Sequence, residues 1–267
     1  MTRQVLVVIG AGGMGQAIAR RLGSGKTVLL ADFSDATLKT TGDTLRGEGH
    51  DVTTLHVDVS SRDSVAELAR QAAALGSVTH LAHTAGLSGA QAPGERILAV
   101  NLHGVAHVLD EFCQVIAPGG AAVVISSMAG HLAPPLTPEQ EAAVARTPVD
   151  ELPGLSLAHP ELVYGVTKRA NHAQVRAASS AWGARGARIN SISPGIVLTP
   201  MAQQELSSHH GNAMRAMIDA SGTGRLGTAD DIAAAAAFLL GPDATFITGT
   251  DLLVDGGVVA ALLAGKV

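Results

Sequence analysis

The sequence has a single cysteine, Cys113, with one tyrosine, one tryptophan and four phenylalanines among 267 residues. One cysteine excludes an intrachain disulfide, and a cysteine-based zinc site would need ligands the chain lacks, so a reducing compartment fits. Charge is scarce as well. Charged residues make up 15%, and 18 Lys and Arg against 23 Asp and Glu leave a net charge of -5. No basic run occurs, so the electropositive footprint of a phosphate-backbone binder is missing and nucleic acid is not an expected partner. Long apolar runs are missing too. The run at 5–9 breaks at Gly10 and the one at 232–240 stops at Gly241, both too short for a signal-peptide core or a membrane span. These absences carry the expectation of a cytoplasmic protein with no membrane partner.

Apolar material is plentiful, at 46% of residues, which suffices for a sizeable core. Short β-branched runs at 5–9, 27–30, 52–57, 78–82, 121–125, 188–192 and 252–254 alternate with helical stretches. The helical pattern covers 14–22, 35–46, 64–75, 95–116, 162–182 and 230–240. Continuously apolar strands separated by helices predict a parallel sheet of about seven strands, covered on both faces. The expected fold is therefore α/β, a doubly wound Rossmann fold forming one domain over 1–267. Six prolines and several acidic residues break the pattern from about 131 to 160, which reads as an insertion. Within it Thr137-Pro138-Glu139-Gln140 has the form of a capping box and predicts a short helix over 139–146. A second segment, about 200–223, carries Met201, Met214 and Met217 and few strand signals. Both segments are candidate covers for a site.

Gly10, Gly12 and Gly15 form G-x-G-x-x-G, with Gly13 and Met14 between them. With 31 glycines in the chain the spacing alone is weak, but it falls between the first strand and the first helix. There the missing side chains let a pyrophosphate approach the backbone, and the helix N-terminus offers free N–H groups. Asp32 ends the second strand, where a carboxylate accepts the ribose hydroxyls of an adenosine and repels a 2′-phosphate. No Arg lies in 33–39 to clamp such a phosphate, so NAD(H) is expected over NADP(H). Capping of the helix entered at Ser34-Asp35 is the alternative use of Asp32. Asp58 is placed either for the adenine edge or to cap the helix near Ser61.

The single tyrosine, Tyr164, is followed four residues on by Lys168, one of only four lysines. On a helix these two share a face, which brings an ammonium beside a phenol. A phenol has a pKa near 10, and acting as a base at neutral pH requires nearby positive charge to lower it by about three units, roughly 4 kcal/mol. Ser126-Ser127 ends the fifth strand, at the sheet edge where open α/β folds place ligands. Asn101 lies inside a long helical stretch, an unfavourable setting for an amide unless it has a buried polar task. Ser193-Pro194-Gly195 is a turn at the same edge. His103 and His107 are spaced as a metal pair on a helix, but no third ligand is evident, so no metal is expected. His131 and the pair His209-His210 fall in the covering segments.

Taken together these residues resemble the short-chain dehydrogenase/reductase family over nearly the whole chain, nearest to bacterial 3α-hydroxysteroid dehydrogenase/carbonyl reductases. The matching motifs are the glycine loop, His83-Thr84-Ala85-Gly86, Asn101, Ser127, Tyr164-x-x-x-Lys168, Asn190, Pro194-Gly195 with Thr199, and the terminal 226–257 segment. The resemblance implies that Tyr164 is the general acid/base, that Lys168 lowers its pKa and holds the ribose, that Ser127 orients the substrate oxygen and that Asn101 supports a proton-relay water. It implies further that the cofactor meets Gly10, Gly12, Gly13, Met14, Gly15, Asp32, Phe33, Asp58, Val59, Ala85, Gly86, Tyr164, Lys168, Pro194, Gly195, Ile196, Val197 and Thr199. Two departures stand out. The loop is one residue shorter than the family's T-G-x-x-x-G-x-G, and His83-Thr84 occupies the place of Asn-Asn.

The expected function is NAD-dependent interconversion of a secondary alcohol and a ketone, with a steroid or other bulky carbonyl compound as the weakly indicated substrate. Alternatives are an NAD(H)-binding regulatory or redox-sensing protein, which needs neither Tyr164 nor Lys168, and a sugar-nucleotide epimerase or dehydratase, for which the chain has little room. The family resemblance also implies a homo-oligomer, dimer or tetramer, formed through the two long helices.

Overall fold

The computed structural model describes residues 3–89, 91–146, 163–199, 203, 206–207 and 211–266. Seven strands, β1 (Gln4–Ile9), β2 (Thr27–Asp32), β3 (Asp51–His56), β4 (Ser77–His83), β5 (Ile116–Ile125), β6 (Arg188–Pro194) and β7 (Asp251–Val254), form one sheet. Their order is β3-β2-β1-β4-β5-β6-β7, and every pairing is parallel. The alternation of β1 shows why helices must cover both faces. Val5, Val7 and Ile9 belong to one core with Leu68, Val108, Phe112 and Trp182, while Leu6 and Val8 belong to the other with Ile18, Leu45, Ile232 and Leu239. Successive side chains of a strand point to opposite faces, so a strand apolar throughout needs two cores.

Helices α1 (Gly13–Leu22), α2 (Asp35–Gly47) and α3 (Arg62–Leu75) follow the first three strands. Serine caps start two of them. Ser34 Oγ accepts from Thr37 N at 3.2 Å, and Ser61 Oγ accepts from Ser64 N at 3.4 Å. The capping residue is therefore Ser34 rather than Asp32, and Ser61 rather than Asp58. The expected single helix over 95–116 is three pieces: α4 (Gly94–Leu98), a π-helical turn (Ala99–His103) and α5 (Gly104–Val115). Ile116 opens β5 and pairs with Val78. The insertion begins with α6 (Met128–Leu132) and α7 (Pro138–Arg146), and the capping box forms: Gln140 N donates to Thr137 Oγ1 at 3.2 Å and Thr137 N to Gln140 Oε1 at 2.9 Å. Residues 147–162 of the insertion, and His209-His210 with several neighbours, lie outside the described residues.

Helix α8 (Val163–Ala184) crosses the sheet and buries Trp182, whose indole N–H donates to Leu109 O at 3.2 Å. Helices Gly211–Ala220, Ala229–Leu240 and Val258–Leu263 complete the described structure. Thr228 and Asp231 form a capping box at the second of these, and Arg225 grips Asp231 through two nitrogens at 2.8 and 2.9 Å. Among the described residues no helix is long and apolar enough to cross a membrane.

Candidate active site

The strand order reverses between β1 and β4, and an open α/β sheet has its crevice where the chain leaves the strands on either side of that point. Two loops meet there. Gly10 follows β1 with φ +99°, and a Cβ on it would lie 2.6 Å from Ala85 N and from Thr84 Oγ1. A Cβ on Gly15 would lie on top of Gly10 O. These two glycines are thus dictated by the loop's own packing. Gly12 and Gly13 differ, since nothing lies within 4 Å of a Cβ on Gly12, and a Cβ on Gly13 meets only the Thr199 methyl, at 3.9 Å.

The loop is tied down on every side. Gly10 N donates to Ala31 O at 2.7 Å, Thr84 Oγ1 donates to Gly10 O at 2.8 Å, and Thr41 Oγ1 to Ala11 O at 2.9 Å. Asp32 accepts from Ala11 N at 2.7 Å on one oxygen and from Ser34 N at 2.8 Å on the other. The carboxylate thus fixes the glycine loop, and each oxygen keeps a further lone pair for another donor. Thr84 takes over the linking task that the family's asparagine suggested for this position. His83 does not share it: the ring is buried, neither nitrogen has a hydrogen-bond partner, and burial with the nearby Lys168 charge pushes its pKa down to about 3.

On the adenine side the expected residues are engaged with one another. Asp58 accepts from Ser60 N at 2.9 Å and Ser60 Oγ at 2.6 Å, and pairs with Arg96 at 3.4 Å. The Arg96 guanidinium also lies 5.5 Å from the centroid of the exposed Phe33 ring. Searching 33–39 for an arginine misses Arg96, because α4 brings it in from sixty residues along the chain. Val59 turns inward and gives its carbonyl to His107 Nδ1 at 3.0 Å, so His107 is a packed core residue rather than half of a metal pair.

The catalytic candidates converge from three elements. Ser126 and Ser127 follow β5 with different partners. Ser126 is buried and its hydroxyl donates to Lys168 O at 2.8 Å, whereas Ser127 Oγ accepts from Ala129 N at 3.1 Å as the cap of α6. Ser127 therefore keeps its proton for another acceptor. Helix α6 packs on α8, close enough that a Cβ on Gly130 would lie 2.9 Å from Lys168 C. On α8, Lys168 Nζ lies 5.7 Å from the Tyr164 ring centroid and donates to Ile125 O at 3.0 Å. The ammonium is buried, which pushes its pKa down to about 8.

Asn101 sits in the π-helical turn, a feature common at functional sites. Its amide holds both backbone groups of Leu87, at 2.9 Å each, and its own carbonyl accepts from Asn171 Nδ2 at 2.7 Å. The side chain thus fixes the loop after β4 to α8. A Cβ on Gly86 would stand 3.3 Å from Lys168 Nζ and 3.4 Å from Asn101 Oδ1, so this glycine opens the space in front of both. Pro194 closes β6, and Gly195 packs on Asp255, where a Cβ would lie 2.6 Å from its Cα. Ile196 and Val197 are buried and bridged to Gly227. Asn190 is structural, donating to Ile247 O and accepting from Thr250 N.

Residues 3–142 match the family described as short chain dehydrogenase, and residues 153–259 the one described as enoyl-(acyl carrier protein) reductase. The chain is 44% identical over 268 residues to the short-chain dehydrogenase/reductase bsc3 of Alternaria brassicicola, covering 98% of each. The chain belongs to the short-chain dehydrogenase/reductase family. More distantly, 176 residues are 33% identical to a 3-alpha-hydroxysteroid dehydrogenase/carbonyl reductase of Comamonas testosteroni, covering 62% of this chain and 66% of that one. Among solved structures, a short-chain dehydrogenase/reductase from Brucella melitensis superposes with a TM-score of 0.77 at 27% identity over 96% of each chain, and levodione reductase with 0.79 at 26% over 97% and 98%.

Membership makes this an oxidoreductase of a family that binds a nicotinamide cofactor. The residues present fit such a group. Gly12 and Gly13 border open space, and α1 has no side-chain cap and no acidic residue in its first turn. Its first N–H groups have no partner within the helix, and its positive end suits a pyrophosphate.

Proposed function

We propose that this short-chain dehydrogenase/reductase interconverts a secondary alcohol and a ketone with NAD(H), using Tyr164 as the proton donor and acceptor. The observation that carries the reading is Tyr164 and Lys168 one turn apart on α8, packed against the α6 segment that Ser127 caps, at the edge where the strand order reverses. When bound, the nicotinamide supplies or takes up the hydride. The chain's own residues manage the proton and the substrate oxygen. Ser127 still has its hydroxyl proton and donates it to that oxygen, holding the reacting carbon in place. Tyr164 passes a proton to the same oxygen in reduction and removes one in oxidation. Lys168 lies close enough for its positive charge to favour the phenolate, and Ile125 O fixes its direction. Asn101 keeps the loop with Gly86 clear of Lys168 Nζ, which supports a water path between them.

Asp32 supports the choice of NAD(H), because its fixed carboxylate faces the place of an adenosine ribose and opposes a 2′-phosphate. Arg96 does not reverse that, since its charge is already paired with Asp58. Phe33 and Arg96 border the adenine side, and Thr199 overhangs Gly13. The Comamonas relative supports a hydroxysteroid or comparably bulky carbonyl compound as the first substrate class to try. The regulatory alternative needs neither Tyr164 nor Lys168, and both stand in the site. The same reading carries a homo-oligomer, dimer or tetramer, which light scattering decides.

The test is turnover of NAD+ and NADP+ with a panel of secondary alcohols that includes 3α-hydroxysteroids. Tyr164→Phe should lower kcat by at least about a hundredfold and leave NADH affinity nearly unchanged. A fully active Tyr164→Phe enzyme sinks the assignment.

A further inference from the structure

Behind Ser127 and Lys168 lies a polar cluster that the proposed reaction does not use. His131 is on α6, His172 is one turn beyond Lys168 on α8, and Asp251 is the first residue of β7. His131 Nε2 is 2.8 Å from Asp251 Oδ2, His172 Nε2 is 3.4 Å from Asp251 Oδ1, and the two ring centroids are 4.9 Å apart. One ligand atom from each of the three lies within 4.8 Å of the others.

The hydrogen bonds of this cluster do not close. His172 Nε2 faces three oxygens: Ser126 Oγ at 3.0 Å, Ser193 Oγ at 3.0 Å and Asp251 Oδ1. The Ser126 proton goes to Lys168 O, and the Ser193 proton to Asp251 Oδ1 at 3.0 Å, so all three oxygens are acceptors towards the ring. A neutral imidazole nitrogen carries one hydrogen at most. The charges do not close either. Asp251 is 11% exposed, and among the described residues its partners are the hydroxyls of Ser191 and Ser193 and the two imidazoles. A carboxylate that is mostly withdrawn from water and faces only neutral groups lacks a counter-charge.

We propose that His131, His172 and Asp251 form a binding site for one divalent transition-metal ion of the zinc class. Two imidazole nitrogens with one carboxylate oxygen suit zinc and its neighbours, whereas magnesium and calcium prefer oxygen donors alone. Three protein donors leave a position for water, and Ser191 and Ser193 orient the carboxylate. Such an ion braces the segment leaving Ser127, the helix carrying Tyr164 and Lys168, and the last strand. The His131 side chain, 31% exposed, provides the way in. The three ligands come from distant parts of the chain at no fixed short spacing, so no sequence motif announces them.

The experiment uses the full chain without an affinity tag, stripped with a chelator and dialysed. Zinc chloride is titrated by calorimetry and melting temperature, and cobalt(II) by visible absorbance. The expected result is one ion per chain, a higher melting temperature with zinc, and cobalt bands of a nitrogen and oxygen site. His131→Gln, the mildest change because its ring is partly exposed, should weaken binding by more than about a hundredfold, the loss expected when a ligand itself is removed. Asp251→Asn should do the same, and the stripped His131→Gln protein should keep the wild-type circular dichroism spectrum. Failure of the wild type to bind either ion overturns the proposal by itself, whatever the variants do. Tight binding that survives in both variants also overturns it, because the ion then sits at other histidines.

Discussion

Lys168 is the residue whose structural cost and functional use can be separated. Its ammonium is buried, its hydrogen bond goes to a neutral carbonyl, and burial lowers its pKa from 10.5 to about 8. A shift of that size corresponds to about 3 kcal/mol against the charged form in the folded chain. Lys168→Met keeps the length of the side chain, removes the charge and leaves Ile125 O without its donor, a loss of about 1–3 kcal/mol. The balance at pH 7 is a gain of roughly 1 kcal/mol, or about 2–4 °C in melting temperature for a chain of this length. The pH dependence is the sharper readout. Between pH 8 and 10.5 the unfolded chain holds more protons at this site than the folded one, so wild-type stability climbs with pH. The climb from pH 7 to 9.5 is about 2 kcal/mol. The methionine variant has no such climb at this position, so its advantage at pH 7 should turn into a deficit at pH 9.5, while turnover is lost throughout. Melting curves of both proteins across that range decide the matter. A difference between them that does not change with pH would refute the reasoning, because the lysine would then not be held charged at a cost.

Two glycines of the first loop should respond oppositely. Gly15→Ala drives a Cβ onto Gly10 O and should destabilise the chain by about 1–3 kcal/mol. Gly12→Ala meets nothing within 4 Å and should keep stability within about 1 kcal/mol while weakening NADH binding in a fluorescence titration. His83→Leu removes two unpartnered buried nitrogens and should raise the melting temperature at pH 7. Because its folded pKa is lowered to about 3, the wild type loses about 2 kcal/mol at this site between pH 7 and 5, where the unfolded ring takes up a proton; the leucine variant escapes that share of acid lability. Arg96→Ala frees Phe33 and Asp58, and should raise KM for NADH by about two- to fivefold, equivalent to roughly 0.5–1 kcal/mol, with kcat unchanged.

Much of the fold was legible because each strand is apolar over its whole length. Val5 to Ile9 cannot be half-exposed, and burial on both faces requires helices above and below, so the parallel doubly wound sheet follows from the pattern. Boundaries were less legible where one residue serves two neighbours. Ile116 continues the apolar period of α5, yet it opens β5 because Val78 offers it a ladder partner from outside the window. The π-helical turn at Asn101 was equally hidden. Its signal was an amide inside a helix, but the cause lies in Leu87, whose N–H and C=O both bind that amide across the crevice.

The candidate site divides along the same line. Tyr164 with Lys168, and the glycine loop, are local spacings and could be found by reading along the chain. The choice between Ser126 and Ser127 needed the family pattern, and the structure supplies its physical counterpart: Lys168 O takes the proton of the first serine and leaves that of the second. What could not be read is every contact made between remote segments, such as Arg96 over Phe33, Thr84 on Gly10 O, and Asp32 on Ala11 N. Asp32 shows why this matters for function. As a sequence feature it is a selector for the ribose, but in the fold it is also the anchor of the loop meant to receive the pyrophosphate. Changing it to alter cofactor choice therefore disturbs two sites of recognition at once, and a loss of NADH binding in an Asp32 variant cannot be assigned to the ribose alone. Gly12→Ala, which leaves that anchor untouched, separates the two.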